Sequence, residues 1–356
     1  MKHVDRLRGA GRLAVEATRG VTDVVQAVHG AIGGAPTKVL SAPVYASIRG
    51  ITSLVGGTLD FALGQLAPLL DEPGPTADRG AVLAALNGVL GDYLAETNNP
   101  LAIAMRLERA ADAKITSRLA VFVHGSSMER SCWQAAPDLG YTPLYLDYNS
   151  GLHVSTNGRA FAAKLEEAVA AWPVPVDEIV FVAHSMGGLV ARSACREAEA
   201  AGHAWRAKLR AIVFVGTPHH GAPLERGGNW LETMLGVTRY SAPFARLAKI
   251  RSAGVTDLRF GHVVDEHWTG RDRFAPGDDA RTPVPLPAGV ACYAIAAEKD
   301  ALVPLASAMG EHASAALRLD FPASHRFVVK GAGHVDMLGR PETWAQIARW
   351  LAPAAS

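Results

Sequence analysis

The stretch Ile179-Val-Phe-Val-Ala-His-Ser-Met-Gly-Gly-Leu-Val-Ala-Arg192 runs an apolar, β-branched segment straight into a helical pattern through Ala183-His184-Ser185-Met186-Gly187. A strand that turns into a helix this sharply has room only for small residues two positions before and two after the serine, here Ala183 and Gly187. The turn leaves the Ser185 hydroxyl projecting above the sheet. Its place at a helix N-terminus adds a favourable dipole and free backbone N–H groups for negative charge developing on a bound oxygen. Strand, small residues, serine and helix together describe a nucleophile, where a serine alone would describe only a cap.

Working outward, apolar runs at Leu119–Val123, Pro143–Leu146, Glu178–Ala183, Ala211–Val215, Val290–Ile295 and Arg326–Val329 alternate with helical patterns at about 157–172, 187–201 and 341–352. Repeated strand, helix, strand predicts an α/β fold with a mostly parallel central sheet and helices on both faces. Residues 222 to about 287 interrupt the alternation. They hold Pro223, Gly227-Gly228, Pro243, Pro276, Pro283, Pro285 and Pro287 and are too long for an ordinary connection, so they read as an insertion with structure of its own.

Upstream, Leu7, Ala10, Ala14, Ala17, Val21, Val24, Val28 and Ala31 trace one helical stripe, and Val44, Ile48, Ile51, Val55, Leu59, Ala62 and Leu66 a second. Residues 1–75 therefore read as an N-terminal helical hairpin closed by the Asp71-Glu72-Pro73-Gly74-Pro75 break. Residues 76–116 read as a helical linker region and 117–356 as the catalytic domain carrying the insertion.

The 356 residues are 49% hydrophobic and 19% charged, and 35 Lys and Arg against 34 Asp and Glu leave a formal net charge of +1. Nucleic acid is disfavoured as a partner, because its binding draws on an excess of basic side chains. Cys132, Cys195 and Cys292 are too few and too widely spaced for a disulfide framework or a metal motif. Charges at Lys2, Asp5, Arg6, Arg8 and Arg12 interrupt any secretory apolar core, which leaves a cytoplasmic expectation. The same basic residues beside an apolar stripe suit either peripheral contact with a membrane or lipid surface, or packing on the core or on a second copy.

A serine hydroxyl needs a base, and the base an orienting acid. The run Val290–Ile295 leads into Ala296-Ala297-Glu298-Lys299-Asp300, and Arg326–Val329 into Gly331-Ala332-Gly333-His334-Val335-Asp336. His334 is the candidate base and Asp300 the candidate acid, with Glu298 and Asp336 as the acid's nearest rivals. The backbone N–H of Met186 is one candidate oxyanion donor. The loop Val123-His124-Gly125-Ser126-Ser127 offers the second at Ser126, with Gly125 letting the backbone turn close to a substrate. No cofactor is called for, and adjacent His219 and His220 lack the spacing of a metal motif.

With His-Gly-Ser at 124–126, Ala-His-Ser-Met-Gly-Gly at 183–188, Gly-Thr-Pro-His-His-Gly at 216–221, the Asp300 loop and Gly333-His334, residues 117–356 resemble the α/β-hydrolase superfamily. Within it they look most like bacterial triacylglycerol lipases and esterases and related lipid-ester deacylases. The resemblance implies a Ser185, Asp300, His334 triad with Ser126 and Met186 as oxyanion donors. It also implies that Thr217 to Gly221, including His219, border the cleft with His124 and Gly125, and that 222–287 is a lid or cap. Trp230, Leu231, Met234, Leu235, Phe244, Leu247 and Ile250 would then cover an acyl chain, either as a moving lid or as a fixed subdomain. The expected activity is hydrolysis of an apolar acyl ester, of a lipid or a polyester, through an acyl-enzyme. The alternatives are acyl transfer or thioester cleavage by the same triad, and, in another class, a surface-docking protein that keeps only the fold.

Overall fold

The apolar runs become the strands of one sheet. The computed structural model describes residues 76–222, 251–271 and 279–352. Along them run α1 (Thr76–Glu96), β1 (Arg106–Arg109), β2 (Arg118–Val123), β3 (Thr142–Asp147), α2 (Val154–Ala170), β4 (Glu178–His184), α3 (Met186–Ala201), β5 (Leu209–Val215), α4 (Ala253–Asp257), β6 (Ala291–Ala297), α5 (Leu305–Ala308), β7 (Arg326–Val329) and α6 (Pro341–Leu351). The hairpin expected over 1–75 lies outside the described residues, as do Trp230, Leu231, Met234, Leu235, Phe244, Leu247 and Ile250 of the insertion.

The strands lie in the order β1-β3-β2-β4-β5-β6-β7. All pair in parallel except β1, which runs antiparallel to β3. Side chains alternate across a strand, so one set (Leu119, Val121, Ile179, Phe181, Ile212, Phe214) enters a core shared with α1, α2 and α3. The other set (Ala120, Phe122, Val180, Val182, Val213, Val215) enters a second core closed by Trp133, Trp344 and Ile347. Burial on both faces is why the central strands read as continuous apolar runs rather than as an alternation. Phe181 is fully buried between Phe161 and Trp205, with ring centroids 5.3 and 5.6 Å away. Truncating it to Ala costs about 3–5 kcal/mol.

The stretch expected as a helical linker is more than a connection. Leu86, Val89, Leu90 and Leu94 of α1 are buried in the first core, and Arg106–Arg109 extends the sheet at its edge. The sheet therefore begins before residue 117. Its first strand reads Arg-Leu-Glu-Arg because an edge strand borders solvent and tolerates charge, so no apolar run announces it.

The described part of the insertion is anchored. Ser252 Oγ donates to Gly88 O of α1 (2.7 Å), Ala253 N–H donates to Asp92 (2.9 Å), and Val154 N–H at the start of α2 donates to Asp257 (2.8 Å). Among the described residues no helix is long and apolar enough to cross a membrane.

Candidate active site

Ser185 sits between β4 and α3 with φ 53° and ψ −125°, a conformation that L-residues hold only where the surroundings enforce it. The enforcement is visible at Gly187. A Cβ there would lie 2.3 Å from Val123 O and 2.4 Å from His124 O, so α3 can start this close to the end of β2 only with glycine. A Cβ on Gly125 would likewise approach Ser185 Cβ to 3.0 Å, which brings the 124–127 loop against the serine.

The loops after β6 and β7 supply the partners. His334 Nε2 lies 2.9 Å from Ser185 Oγ, and its Nδ1 lies 2.7 Å from Asp300 Oδ2. Asp300 Oδ1 accepts from the backbone N–H groups of Leu302 and Val303, each at 2.9 Å. Burial raises the Asp300 carboxyl, but the hydrogen bond and charge of His334 and these two amides outweigh it and hold it below the usual range. An ionised Asp300 can only accept, so Nδ1 of His334 carries the hydrogen and Nε2 is the acceptor facing the serine hydroxyl. The rival carboxylates are occupied elsewhere. Glu298 accepts from Gly331 N–H at 2.8 Å, and Asp336 pairs with Arg340 at 2.6 Å.

Met186 opens α3, so its N–H precedes the first intrahelical hydrogen bond. Ser126 is fully buried in the adjoining loop. The following residue, Ser127, has φ 58°, and its N–H donates to Ser150 Oγ at 3.0 Å. α1 braces this loop from behind, at a position the sequence reading did not single out. A Cβ on Gly88 would fall 1.9 Å from Ser127 Oγ and 2.9 Å from Ser127 Cβ.

His184 belongs to the site's support although it precedes the nucleophile in the motif. Its Nε2 lies 3.1 Å from the carbonyl of His334, which can only accept, so Nε2 carries the hydrogen and the ring steadies the backbone of His334. Burial first, and the His334 charge second, push its pKa down to about 3, so it stays neutral. His124 stacks on Tyr148 at 4.3 Å, donates from Nδ1 to Gly125 O at 2.8 Å, and is lowered mainly by burial. Thr217 packs against Gly188 of α3. His219 is fully buried, with its ring against those of Phe214 and Phe321. Among the described residues no group of three or more His, Cys, Asp or Glu is placed to hold a metal ion.

Residues 120–347 match the model of the alpha/beta hydrolase family. No curated protein sequence matches the chain. Among solved structures it is similar to a lipase of Bacillus licheniformis in mature form, at 16% identity over 70% of this chain and 98% of that one, with TM-score 0.46. A structure from work on carboxylesterases of the thaumarchaeon Nitrososphaera gargenis matches at 12% identity over 69% and 93%, TM-score 0.43. The phospholipase PlaB of Legionella pneumophila matches at 15% over 67% and 60%, TM-score 0.45.

Proposed function

Since the chain belongs to the alpha/beta hydrolase family, by the match over most of its length, we propose that it is a serine carboxylic-ester hydrolase acting on apolar acyl esters of lipid or polyester type. Ser185 Oγ attacks the ester carbonyl while His334 Nε2 takes the hydroxyl proton. The N–H groups of Met186 and Ser126 hold the oxyanion of the tetrahedral intermediate. The intermediate collapses as His334 returns the proton to the leaving alcohol, leaving the acyl group on Ser185. Water, deprotonated by the same nitrogen, then releases the acid. Asp300 keeps the hydrogen on Nδ1 and offsets the charge of the imidazolium.

One observation carries this reading. The hydrogen-bonded chain from Ser185 through His334 to Asp300, at 2.9 and 2.7 Å, supports it, because both contacts are within the reach that proton transfer requires. The test is an ester series from acetyl to long acyl chains, with emulsified triglyceride and a polyester, run beside Ser185→Ala. Turnover that rises with acyl length and vanishes in the folded variant supports the reading. Undiminished turnover in Ser185→Ala overturns it.

A further inference from the structure

Behind the nucleophile, α3 buries a permanent charge without a counter-charge. Arg192, two turns after Ser185, is 5% exposed. Its Nη2 donates to Val284 O and its Nη1 lies 3.5 Å from His219 Nδ1, while Nε has no partner. Among the described residues no carboxylate pairs with it. The nearest strong field is that of a second cation, Arg281, whose charge is already answered by Asp279 at 2.7 Å. Burial and the Arg281 charge together pull the Arg192 pKa down to about 10. A buried, unanswered guanidinium costs several kcal/mol.

Two histidines sharpen the asymmetry. His219 Nδ1 faces a guanidinium nitrogen of Arg192, and His220 Nδ1 faces Nη2 of Arg281 at 3.4 Å. A guanidinium can only donate, so both Nδ1 atoms are acceptors. Both rings are neutral, His219 well below its ordinary pKa and His220 pushed down to about 4, chiefly by burial. The hydrogens therefore sit on the two Nε2 atoms. The Nε2 of His219 is buried and has no partner, whereas the His220 ring donates to the Gly310 carbonyl. Two N–H donors, from Arg192 and His219, are thus left without an acceptor, and both residues wall, with His220, one cavity of about 10 Å³. That is room for one water-sized particle. An open groove of about 450 Å³ beside the Thr282–Ala288 strap shares Arg192, Thr282 and Val284 with the cavity.

We propose that this cavity is a binding site for a single monatomic anion, a halide, held by Arg192 and His219 with His220 in the cavity wall. Donors without acceptors select an acceptor, the excess positive charge selects an anion over water, and the volume excludes sulfate, phosphate and carboxylates. A bound halide joins three elements at one point: α3, which carries Ser185, the 216–221 loop, and the strap ending at Val284. It stabilises the fold around the nucleophile without touching the substrate.

The test needs only the intact protein. Thermal unfolding is followed in sodium chloride and in sodium gluconate at matched ionic strength, and crystals soaked in sodium bromide are measured for anomalous scattering. The expected results are a saturable rise in Tm of about 3–6 °C in chloride and a bromide peak between Arg192, His219 and His220. Arg192→Met should lose the chloride dependence. Equal Tm values in the two salts, together with a cavity that holds water and no bromide, would overturn the proposal. The bromide result on the unaltered protein decides the matter even where Arg192→Met fails to fold.

Discussion

Among the described residues two buried aspartates, Asp300 and Asp257, pair with histidines, and of these two only Asp300 has a histidine that reaches a serine hydroxyl. Asp300 and Asp257 have side chains 3% and 1% exposed. Burial raises each most strongly, but the hydrogen bonds and charges of the histidines, with two backbone amides at Asp300, together hold each below the usual range, and each accepts from backbone N–H. The difference lies on the far side of the imidazole. His334 turns its Nε2 to Ser185 Oγ. His153 lies flat on Trp268, ring centroids 3.9 Å apart and planes within 4°, and the second partner of Asp257, His262, lies 3.3 Å from its other oxygen. The Asp257 pair fastens the anchored part of the insertion to the start of α2. A carboxylate–imidazole pair is a structural clamp by default, and the hydroxyl beyond the ring is what supports the catalytic role proposed for the Asp300 pair.

The comparison breaks most sharply by amidation of each acid. Asp300→Asn should lower kcat by about 10⁴-fold, because an amide N–H facing Nδ1 reverses the tautomer of His334, with the fold retained. Asp257→Asn should leave kcat within a few-fold and instead cost about 3–5 kcal/mol, read as a Tm lower by about 10 °C. Equal catalytic losses in the two variants would erase the distinction.

A smaller effect should follow from the brace behind the oxyanion loop. Gly88→Ala drives a methyl into Ser127 and should shift the Ser126 N–H, lowering kcat by about 10–100-fold with KM little changed. Removing the obstructed side chain in Gly88→Ala with Ser127→Gly should restore much of the loss. Gly80→Ala, whose added Cβ meets nothing closer than 3.5 Å, should lose nothing.

The smallest effect is on pH. In the unfolded chain histidines take up protons below about pH 6.5, while His220 and His184 in the fold stay neutral down to about 4 and about 3. The unfolded state then binds more protons, so stability is full above about pH 6.5 and declines as pH falls from there. The two aspartates add their own loss only below about pH 3.9, as the pH drops through their lowered folded values. His220→Gln should flatten the decline in Tm between pH 6.5 and 4.5.

What the sequence made legible follows from how local each feature is. The elbow at Ser185 was readable because steric crowding dictates residue size within two positions of the serine. The strands from β2 to β7 were readable because two-sided burial makes their runs apolar. The sequence puts Asp300 first as the partner of His334 but leaves Glu298 and Asp336 as rivals on the same loops. Pairing of Asp336 with Arg340, and of Glu298 with the Gly331 amide, separates them only in three dimensions. β1 was hidden by its charged edge position. α1 reads as a mere linker in the sequence because a helix buried nearly all round shows no clear polar face. The Arg192, His219, His220 and Arg281 cluster draws on segments about 90 residues apart, a distance at which no spacing rule operates.

The proposed nucleophile, Ser185, should carry the acyl group. This assignment is tested by reaction of the full chain with an alkyl fluorophosphonate, followed by intact-mass and peptide mass spectrometry. One adduct is expected, on Ser185, absent from folded Ser185→Ala and formed far more slowly in Asp300→Asn. A stoichiometric adduct on another residue, or labelling of Ser185→Ala at the unaltered rate, would contradict it.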